Sequence, residues 1–305
     1  MKILITGSNG LVGSSLTRIL TTSNPSFNIL PTTRKDANLF SFEETKNLIL
    51  SKKPDVIVNA AAKVGGILAN NTNRTDFILE NLKININLLE SLVNLPEIKL
   101  INLGSSCIYP LDATNPISED SLMTGKLEPT NSPYAMAKLT AIEIGDALKK
   151  EHGHKIINVM PTNLYGPNDH FSEKNSHVIP GLIFRMHNAK LNNDKEFKVW
   201  GTGKPLREFL YVDDLSKAIN HLIENNLNPE LINIGSGDEI AIKDLVNKIS
   251  KIINYDGEII FDDTKPDGNP RKLLDSSKVN SYGWDSEISL DQGLKLTYKW
   301  FNQNF

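Results

Sequence analysis

A tyrosine and a lysine four residues apart form the pair whose types and spacing most directly suggest chemistry. Tyr134 and Lys138 would share one face of a helix, because side chains at positions i and i+4 are neighbours there. A nearby ammonium favours the phenolate and should lower the pKa of the tyrosine from its ordinary value of about 10. The pair predicts a proton donor to a carbonyl oxygen during hydride transfer. Alone the spacing is common, so its meaning depends on a dinucleotide site.

A glycine-rich loop near the N-terminus predicts that dinucleotide site. Its glycines follow a short apolar run and open a helix-period segment. Glycines at this spacing allow a tight turn, a close approach to a pyrophosphate and close packing of helix on strand. The strand–turn–helix context favours nucleotide binding over a simple glycine-rich turn. The candidate contacts in this loop are Gly7, Asn9, Gly10, Leu11, Val12 and Gly13.

Residues after the second predicted strand bear on the choice between NAD and NADP. An acidic residue there holds a ribose 2′-hydroxyl, whereas a basic residue suits a 2′-phosphate. Arg34 and Lys35 are followed by Asp36. The two cations favour NADP, Asp36 argues against it, and a solvated loop is the alternative.

Hydroxyl groups and a thiol follow the fourth predicted strand. Ser105, Ser106 and Cys107 come directly after Leu103 and Gly104. In doubly wound sheets the ligand crevice lies beyond the carboxyl ends of the strands, so these side chains should face a ligand. A hydroxyl there could hydrogen-bond a substrate carbonyl. Cys107 is the single cysteine of the chain, and its alternative role is a small buried hydrophobe.

The elements that position these residues alternate between short apolar strands and helix-period segments. That alternation predicts an α/β fold, a Rossmann-type doubly wound parallel sheet with a smaller C-terminal substrate-binding lobe. The expected strands are 2–6, 28–31, 55–59, 99–103 and 156–159, with a return to the sheet at 209–212. The main expected helices are 77–95, 134–151, 178–189, 213–226, 241–254 and 289–301. The expected domains are an NADP-binding Rossmann domain (1–164 and 205–236) and a substrate-binding domain (165–204 and 237–305).

Composition limits the class of protein and its partners. The chain has 305 residues, 39% hydrophobic and 23% charged, which is typical of a globular enzyme and excludes disordered and collagen-like chains. The net charge of −3 gives no reason to expect nucleic acid or a membrane surface as a partner. A lone thiol and apolar runs too short for a signal peptide or membrane span predict a cytoplasmic protein. HExxH and CxxC motifs are lacking, so no metal is expected.

Taken together, the motifs resemble a known family. The glycine loop, Ser105 and Tyr134-x-x-x-Lys138 are the pattern of the extended short-chain dehydrogenase/reductases. Further segments narrow the resemblance to the GDP-L-fucose synthase family, over essentially the whole chain. These segments are AAAKVGGI (60–67), GSSCIYP (104–110), LEPTN (127–131), MPTNLYGP (160–167), NSHVIP (175–180) and KPDGNPRKLLD (265–275).

The resemblance implies an NADPH-dependent 3,5-epimerisation and 4-keto reduction of GDP-4-keto-6-deoxy-D-mannose to GDP-L-fucose. Cys107 and His177 match the family's acid–base pair, and both side chains titrate near enough to neutrality for that role. Ser105 and Tyr134 would stabilise an enolate oxygen, and Lys138 would tune Tyr134 and hold the nicotinamide ribose. Without the resemblance, His177 would be an ordinary surface or core histidine.

The resemblance also implies the ligand contacts. Cofactor contacts beyond the glycine loop are Arg34, Lys35, Ala60, Ala61, Leu103, Gly104, Ser105, Ser106, Lys138, Pro161, Thr162, Asn163, Leu164 and His177. Substrate contacts are Asn163, Arg185, Trp200, Arg207 and Asp267. Arg207 is the strongest of these because arginine binds diphosphates bidentately, whereas Trp200 could be core and Arg185 could face solvent. Many members carry His-Arg where this chain has Ser8-Asn9, and some a basic residue at Thr32, so Arg34 and Lys35 alone support NADP.

Two helical segments, 77–95 and 134–151, are apolar over more than one face. The family pairs the equivalent helices across a homodimer, so a homodimer is implied, and burial within one chain is the alternative. Two other functions stay open. A related nucleotide-sugar epimerase or dehydratase would need no Cys107–His177 pair, and a non-catalytic NADP-binding sensor commonly loses the tyrosine or lysine that this chain retains.

Overall fold

The computed structural model describes residues 1–265 and 267–305, so Pro266 of the expected segment 265–275 lies outside the described residues. The expected strands and helices are present, with bounds within three residues of those expected. Along the chain the elements are β1 (Lys2–Thr6), α1 (Leu11–Ser23), β2 (Asn28–Pro31), α2 (Phe42–Lys52), β3 (Val56–Asn59), α3 (Ile67–Thr72), α4 (Arg74–Leu92), β4 (Lys99–Leu103), α5 (Ser132–His152), β5 (Ile156–Pro161), β6 (Asn163–Tyr165), α6 (Val178–Leu191), β7 (Glu196–Trp200), β8 (Leu206–Tyr211), α7 (Val212–Glu224), β9 (Leu231–Ile234), β10 (Glu239–Ala241), α8 (Ile242–Ile253), β11 (Glu258–Asp262), β12 (Arg271–Lys272), α9 (Ser277–Ser281) and α10 (Leu290–Asn304).

A large sheet forms the centre of the fold. Its six strands are all parallel, in the spatial order β2–β1–β3–β4–β5–β9. Successive side chains of a strand face opposite sides. Ile3 and Ile5 therefore pack with α1 and α7, while Leu4 packs with α2, α4 and α5. Burial on both faces explains why the strands are apolar throughout, and the expected Rossmann-type α/β sheet is confirmed.

The strand order reverses between β1 and β3, which places a crevice at their carboxyl ends. From β1 the chain crosses to β2 on one side and then returns to β3 on the other. Loops that leave the carboxyl ends of β1 and β3 therefore separate in opposite directions, and the space between them is where ligands bind in such sheets.

A second, smaller sheet differs from the expectation at one strand. The strand expected at 209–212 was to return to the large sheet, but β8 instead pairs with β6, β10 and β12. The place beside β5 is taken by β9, so the chain returns to the large sheet through α7 and β9. Val279 and Trp284, far along the chain, also pack into the core beneath the large sheet.

A separate apolar core supports the smaller lobe. It joins α6, α8 and α10 to β7 and β8 through side chains such as Ile183, Phe197, Leu245 and Phe301. Its strands β7 and β11 form a two-stranded parallel ribbon. The lobe faces the carboxyl ends of the large sheet, and the cavity between the two is lined from both sides.

Helix α5 is placed by clear signals at both ends. It begins at Ser132 with Pro133 in its first turn, where the missing proline N–H costs no hydrogen bond. It ends at His152 and is capped by Gly153, whose φ of +73° is a left-handed conformation that glycine adopts without strain. This fixed start puts Tyr134 and Lys138 in the first two turns.

Across residues 1–265 and 267–305, no helix combines the length and the apolar character that a membrane crossing requires.

Candidate active site

One cavity of about 1830 Å³ gathers the expected site residues from both lobes. It opens at the carboxyl ends of the large sheet's strands, as the strand order predicts. Gly13 alone among the expected residues does not line it. The lining includes Gly7, Asn9, Gly10, Leu11, Val12, Arg34, Lys35, Ala60, Ala61, Leu103, Gly104, Ser105, Ser106, Cys107, Tyr134, Lys138, Pro161, Thr162, Asn163, Leu164, His177, Arg185, Trp200, Arg207 and Asp267.

The glycine loop fits a dinucleotide because its backbone comes closer to its neighbours than any side chain would permit. Gly7 has φ +66°, and a Cβ there would lie 2.9 Å from the carbonyl oxygen of Ala60. A Cβ on Gly13 would lie 2.2 Å from the carbonyl oxygen of Gly7. Helix α1 starts after Gly10 with neither a side-chain cap nor an acidic residue in its first turn. Its free N–H groups and positive dipole end suit a pyrophosphate.

Arg34 and Lys35 both line the cavity, while Asp36 is held in a turn. The Asp36 carboxylate accepts hydrogen bonds from Thr33, at 2.8 Å from N and 3.0 Å from Oγ1. These bonds hold the pKa of Asp36 below its usual value. Because the carboxylate is committed to the turn and does not line the cavity, the two cations set the charge at this end.

Tyr134 and Lys138 lie together at the carboxyl end of β4. The Lys138 Nζ donates a 2.7 Å hydrogen bond to the carbonyl oxygen of Leu103 and lies 5.8 Å from the centroid of the Tyr134 ring. Burial raises the pKa of Tyr134, the charge of Cys107 raises it further, and a hydrogen bond with Ser105 opposes them. Burial also lowers the pKa of Lys138 to about 8.

The expected lowering of the tyrosine pKa by its lysine was therefore wrong for this structure. Both side chains are buried, Tyr134 at 9% and Lys138 at 2% exposure, and burial disfavours the charged form of each. The phenol is consequently protonated at neutral pH, which is the form that can donate a proton.

Cys107 contacts two side chains that the sequence did not single out. Its Sγ accepts from Asn131 Nδ2 at 3.4 Å and from Lys272 Nζ at 3.8 Å. Its backbone N donates to Ser105 Oγ at 3.2 Å, which closes a short 3-10 turn after β4. Asn131 and Lys272 lie in the segments 127–131 and 265–275, which resemble the family. Membership of those segments was the feature of the sequence that could have indicated a role for the two residues.

His177 precedes α6 at the N-cap position, with its imidazole in the cavity. The residue is exposed to the cavity, yet desolvation by the surrounding protein lowers the pKa of His177, and a hydrogen bond with the backbone of Gly65 acts in the opposite direction. Gly66 N donates to the carbonyl oxygen of Asn175 at 3.1 Å, and a Cβ on Gly66 would lie 2.4 Å from Ser176 O. The segment 60–67 thus holds the loop before His177 against the β3 end of the large sheet.

The expected substrate residues occupy the smaller lobe's side of the cavity. Trp200 is 64% exposed, so the core alternative for it was wrong. Arg185 is not solvated as a surface helix residue would be, because its guanidinium lies 5.1 Å from the Phe197 ring centroid and donates to Lys198 O at 3.2 Å. The Arg207 guanidinium lies near the Asp267 carboxylate, which accepts from Thr202 N at 2.9 Å.

Asn163 borders the cavity at the start of β6, and its amide is already engaged. Its Nδ2 donates to the carbonyl oxygen of Glu208 at 2.8 Å, which ties the carboxyl end of β5 to β8. Among the described residues, no three His, Cys, Asp or Glu side chains are grouped to hold a metal ion.

The chain has relatives over its whole length. The NAD dependent epimerase/dehydratase family matches residues 3–235. The chain is 46% identical to GDP-L-fucose synthase 1 of Arabidopsis thaliana, covering 99% of this chain and 94% of that protein. It is 43% identical to GDP-L-fucose synthase of Escherichia coli strain K12, covering 99% and 97%. A solved GDP-L-fucose synthetase from Naegleria fowleri, bound to NADP, matches with a TM-score of 0.89 at 28% identity, covering 99% and 94%.

The chain therefore belongs to the NAD dependent epimerase/dehydratase family, the class that its parallel sheet and glycine loop define. Within that class, its relatives at 43% and 46% identity are GDP-L-fucose synthases, which confirms the resemblance expected from the sequence.

Proposed function

We propose that this chain is an NADP-dependent oxidoreductase and epimerase that converts GDP-4-keto-6-deoxy-D-mannose to GDP-L-fucose. One observation carries the proposal. A single cavity brings a hydroxyl–phenol–ammonium group (Ser105, Tyr134 and Lys138) together with a thiol and an imidazole, Cys107 and His177, next to a dinucleotide loop. Reduction of a ketone needs the first group, and inversion of carbon centres needs the second.

NADP is the cofactor of the proposed reaction, and bound NADPH supplies the hydride for C4. Gly7 and Gly10 border the space for the pyrophosphate, and Gly13 lets α1 pack closely against the loop. Arg34 and Lys35 provide cations for a 2′-phosphate. Lys138 holds the nicotinamide ribose. The remaining proposed contacts are Asn9, Leu11, Val12, Ala60, Ala61, Leu103, Gly104, Ser105, Ser106, Pro161, Thr162, Asn163, Leu164 and His177.

Cys107 and His177 perform the two inversions in this proposal. A ketone at C4 makes the protons on C3 and C5 acidic, because the resulting carbanion delocalises into an enolate oxygen. One side chain removes a proton from the carbon, and the other returns a proton to the opposite face of the ring. Ser105 and Tyr134 donate hydrogen bonds to the developing oxyanion. The surrounding protein lowers the pKa of His177, which favours the neutral imidazole, the form that takes up a proton before passing it to the ring.

Tyr134 then completes the reduction. Its pKa is raised by burial, so the phenol carries a proton at neutral pH and can deliver it to O4. The ammonium of Lys138, 5.8 Å from the ring centroid, stabilises the phenolate that remains. Lys138 is itself buried, so its charge is poorly screened by water and acts strongly on the phenolate.

The GDP-sugar is held by the smaller lobe. Arg207 and Arg185 supply bidentate donors for the diphosphate, the exposed ring of Trp200 supplies a stacking surface, and Asn163 and Asp267 complete the contacts. On this basis residues 1–164 and 205–236 serve as the NADP-binding domain. Residues 165–204 and 237–305 serve as the substrate-binding domain, apart from the return of Val279 and Trp284 to the large core. Strand β8, within the first set of residues, pairs with the smaller sheet and belongs structurally to the smaller lobe.

A homodimer through α4 and α5 is part of the proposal. The two helices pack on each other, and α4 also buries Ile84, Leu88 and Leu92 within its own chain. Leu79 and Ile86 of α4 remain 48% and 39% exposed, and a second copy would cover them.

The proposed reaction requires a free thiol at Cys107. Thiols stay reduced in the cytoplasm, so we propose that the protein acts in that compartment.

Purified protein with GDP-4-keto-6-deoxy-mannose and NADPH tests the function, with Cys107→Ser run alongside. We expect NADPH to be consumed in a 1:1 ratio with GDP-L-fucose formed, and the variant to release an unepimerised 4-reduced sugar or nothing. Wild-type protein that yields unepimerised sugar would be a simple reductase. Turnover without net NADPH loss would indicate an epimerase or dehydratase that recycles its cofactor, and tight NADPH binding without turnover would indicate a sensor.

A further inference from the structure

The sulfur of Cys107 lies between two donors from different parts of the chain. Asn131 Nδ2, just before α5, is 3.4 Å away, and Lys272 Nζ, from β12, is 3.8 Å away. The inference that follows rests on the proposed function, in which Cys107 transfers protons. We propose that Lys272 is a positioning residue that holds the Cys107 sulfur as a thiolate, with Asn131 as its second donor.

Among residues 1–265 and 267–305, Lys272 provides the cation that contacts the sulfur. From α3 and α4 the sulfur is packed by the apolar side chains of Ala69 and Phe77. From α5 it faces Tyr134, whose raised pKa leaves the phenol uncharged at neutral pH. An ammonium at 3.8 Å attracts the thiolate and not the thiol, so it shifts the balance toward the thiolate.

The Glu128 carboxylate, on the loop that carries Asn131, is occupied by hydrogen bonds within that loop. Glu128 accepts hydrogen bonds from the backbone N of Thr130 at 3.1 Å and of Asn131 at 3.2 Å. These bonds orient the carboxylate toward its own turn and fix the backbone of Asn131. The turn 128–131 therefore supplies Asn131 as a neutral donor to the sulfur, while the negative charge of Glu128 is held in hydrogen bonds within the turn.

The backbone of Lys272 is held by strand pairing, so β12 sets where its side chain begins beside the sulfur. In the β8–β12 pair, Lys272 is the register partner of Arg207. The fully buried carboxylate of Glu208 accepts from Leu274 N at 3.1 Å and Gly237 N at 2.9 Å, which fastens the end of β12 to β8. Leu273 N donates to Asn115 Oδ1 at 2.8 Å.

The proposed role balances when solvent protons are included. The thiolate accepts a proton from the sugar carbon, giving a thiol and an enolate, and Lys272 keeps its own proton throughout. His177, after its imidazole has taken up a proton from solvent, returns a proton to the carbon from the opposite face and completes one inversion. The thiol then releases its proton to solvent, which restores the thiolate, and no oxidant or reductant enters the step.

A rival role for Lys272 is suggested by its neighbour Arg207. Two adjacent cations on one wall would also suit a diphosphate, in which case Lys272 would act on substrate affinity alone. The contact between Nζ and Sγ favours the thiolate role, and the two roles differ in a property that needs no substrate, the reactivity of the thiol.

Alkylation by iodoacetamide measures that property cleanly, because Cys107 is the single cysteine of the chain. The rate is followed by mass spectrometry over about pH 6 to 9.5, since only the thiolate reacts. For Lys272→Met we expect the rate near pH 7 to fall about tenfold and the profile to move up by about one pH unit. Lys272→Arg should keep the wild-type profile within about threefold. Lys198→Met, which removes another lysine lining the same cavity, should leave the profile unchanged.

A Lys272→Met profile that superimposes on the wild type would overturn the inference, most directly if its KM for the GDP-sugar alone has risen. If Lys272→Met does not fold by circular dichroism, Lys272→Gln takes its place, with the same expected shift and the same contrary result. The proposed function is judged separately. Suppose that the Lys272→Met profile shifts as expected but the wild-type protein makes no GDP-L-fucose. That result would refute the proposed function, and the thiolate assignment would stand.

Discussion

Replacement of Gly13 by alanine should separate the packing role of the glycine loop from its contact with a cofactor. Gly13 does not line the cavity, yet an added Cβ would meet three backbone atoms: Gly7 O at 2.2 Å, Gly7 C at 2.7 Å and Ser8 Cα at 2.7 Å. Backbone atoms cannot rotate away as a flexible side chain can. Helix α1 or the loop must therefore move before the side chain fits.

The size of the effect follows from this overlap. Ordinary van der Waals contact begins at 3.4 Å, so α1 must shift by about 1 Å. Overpacking of this kind costs about 1–3 kcal/mol, and the better helix propensity of alanine returns up to about 1 kcal/mol. We expect the Gly13→Ala variant to lose about 1–2 kcal/mol in free energy of unfolding. Because the displaced N–H groups are those proposed for the pyrophosphate, NADPH affinity should fall about tenfold or more.

Urea unfolding of the protein without cofactor and fluorescence titration with NADPH measure the two effects. Gly10→Ala is the matched control for stability, because a Cβ there meets Gly7 O at an ordinary 3.5 Å. It should unfold at nearly the wild-type urea concentration. A Gly13→Ala variant that unfolds like the wild type and binds NADPH equally well would refute the reasoning from close approach.

Three further predictions address the chemistry, the assembly and the pH dependence of stability. Tyr134→Phe removes the proton donor and should lower NADPH oxidation about 10²- to 10⁴-fold with NADPH binding retained; an unchanged rate would contradict its role. Leu79→Asp combined with Ile86→Asp should give a monomer in sedimentation velocity, whereas Leu191→Asp, also at an exposed site, should not; a surviving dimer would contradict the α4 interface. Burial lowers the pKa of Lys99 to about 8 from 10.5. Between pH 8 and 10.5 the unfolded chain therefore binds more protons than the folded protein, so the free energy of unfolding rises with pH over that range. Lys99→Met should remove about 1–2 kcal/mol of that rise in urea titrations, and an unaltered slope would refute it.

Most of the fold was predictable from local patterns in the sequence. The strands β1 and β4 were predicted at their observed bounds, because runs such as Lys2–Thr6 are apolar on both faces and end at glycine. Helix α5 was predictable because Pro133 marks its start. The pairing of β8 was not, since its apolar residues suit either sheet and the choice depends on β9 filling the edge beside β5.

The residues of the candidate site were predictable from the sequence, but the directions of their pKa shifts were less so. The YxxxK spacing gave the positions of Tyr134 and Lys138, but the direction of the tyrosine pKa depends on burial, which spacing does not report. Lys272 was missed because it lies 165 residues from Cys107 along the chain. Its contact arises from the pairing of β12 with β8, and only the folded chain brings the two together.

Incorporation of deuterium during turnover tests the central claim most directly, that one cavity performs both inversions and the reduction. The protein is incubated with GDP-4-keto-6-deoxy-mannose and NADPH in D₂O, and the product is examined by NMR. We expect GDP-L-fucose with deuterium at C3 and C5 and protium at C4, because the first two hydrogens pass through exchangeable side chains and the third comes from the cofactor. A reduced product that lacks deuterium at C3 and C5 would contradict the account.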